Sequence, residues 1–115
     1  MNMGRPRAHH EALPAAVTAR LVELGRHVAI ARMRRQWRQA DLAEKAGLNP
    51  NTIRRVEMGA PGTSLGAYAS VLWALGLMDQ LAEVARPERD AEGGALEAAR
   101  RGERVRPSGT IADDF

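Results

Sequence analysis

A chain of 115 residues can enclose one small core and little more, so a second folded domain of ordinary size is excluded. Seventeen basic residues against 14 acidic ones leave a formal charge of only +3, and the absence of cysteine rules out disulfides and thiolate chemistry. There is no signal peptide and no apolar run long enough to span a bilayer, which makes a soluble cytoplasmic protein the expectation, without a membrane partner.

Residues 1–13 have no apolar period and contain Gly4 and Pro6, so they are expected to form a flexible arm. From Pro14 the pattern changes. Val17, Leu21, Leu24, Val28 and Ala31 recur at three- and four-residue intervals and predict a long first helix ending near Gln36, with Gly25 as the one point of doubtful continuity. Trp37 follows and is expected to pack beneath the next elements.

Residues 39–58, QADLAEKAGLNPNTIRRVEM, then describe two short helices joined by a glycine turn. Leu42 and Ala46 stand one turn apart, as do Ile53 and Val56, so each helix offers the other an apolar stripe. Ala43 is small enough to allow close approach. Gly47 falls where the first of the pair must end in a left-handed residue, Asn49 is placed to cap the second, and Pro50 occupies its first turn, where a missing N–H costs nothing. With Ile53 and Val56 turned inward, Asn51, Arg54, Arg55 and Met58 share the outer face. A helix of this size fits the major groove of B-DNA. Arg54 can pair with guanine O6 and N7, and Asn51 with adenine N6 and N7; with Gln39 at the start of the preceding helix, they are the expected base contacts. Arg38, Asn49, Thr52 and Arg55 are placed for phosphates. Solvated helix charges are the plain alternative for the arginines, but turn, cap and packing set agree with the groove reading.

Charge distribution points the same way. Residues 26–58 carry Arg26, Arg32, Arg34, Arg35, Arg38, Lys45, Arg54 and Arg55 against only Asp41, Glu44 and Glu57, the local excess that binding by counterion release requires.

Beyond Met58 the segment GAPGTS reads as a loop, with Thr63 or Ser64 capping a fourth helix over residues 65–75. The N–H groups and hydroxyls there could also hold a phosphate, and Thr63 and Ser64 join the phosphate set on that ground. Leu65, Tyr68, Ala69, Leu72 and Leu75 form the expected core stripe, and Gly76 stops the helix. A short fifth helix, MDQLAEVA, ends before Pro87. Val71 and Trp73 fit poorly in the stripe; with Leu77 and Leu81 they are the expected homodimer or partner surface. The alternative for Trp73 is a cover over the corner between helices four and five. Two copies about a two-fold axis would read an inverted repeat of double-stranded DNA with half-sites roughly 34–36 Å apart.

From residue 87 the glycines and prolines break any period, so residues 87–115 are expected to be a mostly disordered tail after a helix-turn-helix domain over residues 14–86. At most one or two helical turns are expected over residues 95–101. Arg100, Arg101, Arg104 and Arg106 could meet DNA, a protein or nothing, and Asp113, Asp114 and Phe115 read as a docking segment or as plain disorder. No catalysis is expected. His9, His10 and His27 have no carboxylate cluster at metal-ligand spacing, no nucleophile is ordered beside a base, and neither a metal nor a cofactor is called for.

The run R-x6-Q-A-D-L-A-x2-A-G-L from Arg32, the T-I-R-R-V-E core from Thr52 and the A-L-G-L at residues 74–77 resemble the Cro/phage-repressor class of helix-turn-helix domains, the Xre family, over residues 26–77. The resemblance implies an all-α, five-helix fold. It also implies that Arg32, seven residues before Gln39, pairs with Glu57 at the end of the recognition helix as a structural tether. Residues 62–90, with G-T-S-L-G-A-Y-A-S-V-L-W-A-L-G-L, D-Q-L-A-E and P-E-R-D, are further similar to the HipB-like antitoxin group. That similarity implies a dimeric repressor of its own operon which also binds a HipA-like serine/threonine kinase toxin. A free-standing transcription factor, and an adaptor that keeps the fold without the DNA activity, are the competing readings.

Overall fold

A computed structural model describes residues 13–105, all of whose regular structure is helical. The arm up to residue 12, with His9 and His10, and residues 106–115, with Arg106, Asp113, Asp114 and Phe115, lie outside the described residues. Among the described residues, five α-helices run in the order α1 (Ala15–Arg34), α2 (Gln39–Ala46), α3 (Pro50–Met58), α4 (Leu65–Leu75) and α5 (Ala91–Val105). Two 3₁₀ segments, Met78–Glu83 and Pro87–Arg89, fall between α4 and α5. The chain divides into two compact units, Met1–Leu81 and Ala82–Phe115.

The core of the first unit is Val28 of α1, Leu42 and Ala43 of α2, Ile53 and Val56 of α3, and Ala67, Tyr68, Val71 and Leu75 of α4. Ala31, Trp37, Leu48, Ala74 and Leu77 pack around it. Trp37 is held from outside as well, by Lys45 Nζ 4.7 Å from its ring centre.

Helix α1 is continuous through Gly25, and the glycine is there because α3 crosses it. A Cβ at that position would lie 2.5 Å from the carbonyl oxygen of Glu57 and 2.6 Å from that of Val56. Gly59, in the left-handed conformation at φ 72° that ends α3, meets α1 in the same way: its Cβ would fall 2.4 Å from Leu21 O. Backbone thus touches backbone at both points. Gly47 ends α2 at φ 70° with open space around it, so only conformation requires a glycine there.

Three expectations need correction. The buried stripe of α4 is Ala67, Tyr68, Val71 and Leu75, because the helix lies against both α2 and α3; Leu65, expected inside, is 71% exposed. Val71 is 0% exposed and belongs to the core, so it cannot serve a dimer surface, whereas Trp73 on the opposite side is 64% exposed. Leu77 and Leu81 are half-buried. The fifth helix of the sequence reading is a 3₁₀ segment of six residues, too short to gain much from α-type bonds once Gly76 has turned the chain and Leu77 N has bonded to Leu72 O at 2.8 Å.

The second unit differs most from the reading of its sequence. Instead of one or two turns, residues 91–105 form a 15-residue helix despite Gly93, Gly94 and Gly102. Each interior glycine costs about 1 kcal/mol against alanine. Alanines at positions 91, 95, 98 and 99 and a firm start offset this: Asp90 Oδ1 accepts from Gly93 N at 2.9 Å. An Arg101–Glu97 pair at 3.6 Å adds one i,i+4 contact. Ahead of the helix, Arg86 and Arg89 each lie within 3.8 Å of Glu83.

Candidate nucleic-acid interface

The outer face of α3 is built from its inner one. Ile53 and Val56 are sealed in the core, and at 100° per residue that leaves Asn51, Arg54, Arg55 and Met58 exposed on one side, with Thr52 half-buried at the flank. Asn49 Oδ1 accepts from Asn51 N at 2.7 Å and caps the helix, and Pro50 occupies the first position. The cap consumes the Asn49 oxygen and leaves its amide group as the donor a phosphate could use. Arg54 Nη2 donates to Asn51 Oδ1, so two of the three expected base-contacting side chains form one unit. The Arg55 side chain is exposed and makes no hydrogen bond or ion pair among the described residues.

What sets the rotation of α3 is a polar network at its far end. Arg32 Nε donates to Glu57 Oε2 at 2.6 Å and Arg32 Nη2 to Glu57 Oε1 at 3.1 Å, a two-pronged pair whose side chains are only 13% and 7% exposed. Arg32 Nη1 donates to the carbonyl of Trp37 at 2.8 Å, and Gln39 Nε2 donates to Glu57 Oε1 at 2.9 Å. Helix α1, the start of α2 and the end of α3 are therefore tied through one carboxylate. Gln39, expected at the bases, is half-buried and spends one amide hydrogen on Glu57. Its carbonyl oxygen and second amide hydrogen remain for any other partner.

At the start of α2, Asp41 Oδ2 accepts from Arg38 N at 2.8 Å, half of a capping box, while the Arg38 guanidinium lies 3.3 Å from Asp41 Oδ1. The Arg38 backbone N–H, then its side chain, hold the Asp41 carboxyl below the usual carboxylate range. Arg38 remains exposed toward solvent.

The loop before α4 separates its two hydroxyl residues. Ser64 caps, accepting from Ala67 N at 3.1 Å. Thr63 Oγ1 is enclosed and without a hydrogen-bond partner, so this hydroxyl is not presented to a phosphate as expected. The sequence counted Arg35 only within the basic excess of residues 26–58, yet its guanidinium donates to Ala31 O at 2.7 Å and Leu75 O at 3.0 Å, joining the ends of α1 and α4. No spacing rule connects residues 40 apart, so nothing local could have revealed that link. Among the described residues, no group of three or more His, Cys, Asp or Glu side chains could hold a metal, and no helix is long and apolar enough to cross a membrane.

Two short helices around a glycine turn, the second with a sealed inner face and a cationic outer one, define a helix-turn-helix domain. The family model for the helix-turn-helix domain matches residues 23–86, more than half of the chain, and the protein belongs to that family, as a DNA-binding regulator of broadly Xre-like type. No curated protein and no solved structure matches it.

Proposed function

We propose that the protein is a homodimeric repressor that reads an inverted repeat in its own operon and is the antitoxin of a HipA-like serine/threonine kinase toxin. The observation that carries the DNA half is the exposed set Asn51, Arg54, Arg55 and Met58 on a helix whose rotation is held by Arg32, Gln39 and Glu57. Arg54, tied to Asn51, meets bases at the N-terminal half of α3; Arg55, Arg38, Thr52, Ser64 and the Asn49 amide meet phosphates. Dimerisation rests on exposed Trp73 with half-buried Leu77 and Leu81, since one short helix in one groove makes too few specific contacts. The kinase partner rests on the HipB-like pattern of residues 62–90.

Fragments selected from the region upstream of the gene supply the operator. On it, Arg54→Ala costs about 1–3 kcal/mol of specific binding and relaxes one base position, while Arg55→Ala weakens all sequences alike and lowers the salt slope by about one unit. Equal effects of both on specific and random DNA refute this division. Absence of salt-dependent binding to any duplex supports the adaptor reading instead. Lack of a kinase-like reading frame beside the gene leaves a free-standing regulator.

A further inference from the structure

Arg32, Arg35 and Arg38 are engaged by carboxylates or carbonyl oxygens of the fold. Arg54 is held differently. Its Nη2 donates to the neutral carboxamide oxygen of Asn51, one turn back on the same exposed face, and it makes no ion pair among the described residues. The acceptor residue is itself fixed, because Asn51 N donates to Asn49 Oδ1 at 2.7 Å and Pro50 sets the backbone of the first turn. A carboxamide orients the guanidinium without cancelling its charge, whereas a carboxylate in its place would hold the arginine and repel phosphates.

We infer that Asn51 is a positioning residue, which aims Arg54 at one guanine of each half-site and reads no base of its own. This rests on the groove reading of α3 and replaces the adenine contact expected for Asn51 from its residue type. Reading adenine takes both ends of the carboxamide, the oxygen for the N6 amino group and the amide for N7. Here the oxygen already faces a cation, which the adenine amino group, a second donor, would have to join. Arg54 gives up little in return. Nη2 carries two hydrogens, and whichever of them Asn51 accepts, the other lies parallel to Nε–H or to an Nη1 hydrogen, which leaves one fork for guanine O6 and N7. Holding that fork before DNA arrives removes part of the cost of ordering a long side chain on binding.

The test is a two-residue cycle in the full-length protein, on a duplex selected by the unaltered protein and on copies of it carrying 7-deazaguanine, which lacks the N7 acceptor, at each guanine in turn. At one guanine of each half-site the replacement weakens binding by the unaltered protein about tenfold. Arg54→Ala abolishes that penalty, and Asn51→Ala reduces it at the same guanine. On the unmodified duplex Asn51→Ala binds about two- to tenfold more weakly, the scale of ordering one long side chain, and the double variant binds no more weakly than Arg54→Ala alone. Asn51→Asp keeps an acceptor for Nη2, so it retains the 7-deazaguanine penalty while binding specific and random duplexes more weakly alike through its added negative charge. Both side chains are exposed, so all the variants keep the unfolding midpoint, measured alongside. No guanine with such a penalty, an altered preference at a different base pair in Asn51→Ala, a double variant weaker by the product of the single losses, or Asn51→Asp behaving as Asn51→Ala overturns the inference and leaves the groove reading standing. No preference of the unaltered protein for any duplex overturns both.

Discussion

Replacing Arg32 by methionine strips Glu57 of two of the three hydrogen bonds its carboxylate accepts and leaves it with Gln39 alone, at 7% exposure. A buried charge deprived of its partner costs about 3–5 kcal/mol. For a protein with roughly 5–15 kcal/mol of total stability, that is a large share. With each kcal/mol worth about 4–8 °C in a domain of this size, melting falls by on the order of 20 °C. Glu57→Leu costs less, because Arg32 keeps its bond to Trp37 O and its long stem can carry the guanidinium to water. The double variant Arg32→Met/Glu57→Leu removes both charges and recovers part of the loss, giving a coupling of at least about 2 kcal/mol. Urea unfolding followed by circular dichroism measures all four proteins. An Arg32→Met cost below about 1 kcal/mol, or a double variant equal to the sum of the singles, would show that the network does not brace the recognition helix.

The glycines separate two physical causes. Gly47→Ala meets open space and costs about 1–2 kcal/mol for its left-handed backbone, whereas Gly25→Ala drives a methyl into the α3 backbone and costs more, read from unfolding midpoints. Equal costs would contradict the α1–α3 contact. Val71→Ala costs about 2–3 kcal/mol by emptying a sealed position, while Trp73→Ser leaves monomer stability nearly unchanged and weakens self-association in sedimentation. The Asp41 carboxyl is lowered in the folded protein, so its contribution is present above the unfolded value of about 4 and is lost as pH falls through the folded one. The melting-temperature gap between the protein and Asp41→Asn therefore closes on acidification, and a gap constant down to pH of about 2 refutes the assignment.

Sequence alone determined what neighbours along the chain decide. The α2 and α3 boundaries follow from Gly47, Asn49 and Pro50, and the apolar stripes of those helices from a period of 3.6, because caps, turns and helix faces are local consequences of side-chain chemistry. The exposed quartet on α3 was legible for the same reason. Tertiary structure alone decided how α4 is rotated, since Val71 and Leu65 are both apolar and only the positions of α2 and α3 determine which of them is enclosed. It also decided that Gly25 is a crossing point, that Thr63 Oγ1 is shut in, and that Arg35 joins helix ends 40 residues apart. For α5 a cap at Asp90 and an alanine-rich stretch outweighed three glycines, a balance of terms each near 1 kcal/mol that no single residue announces. Distance in space between residues far apart in sequence is set by the sum of all packing contacts at once, and periodicity carries no record of that sum.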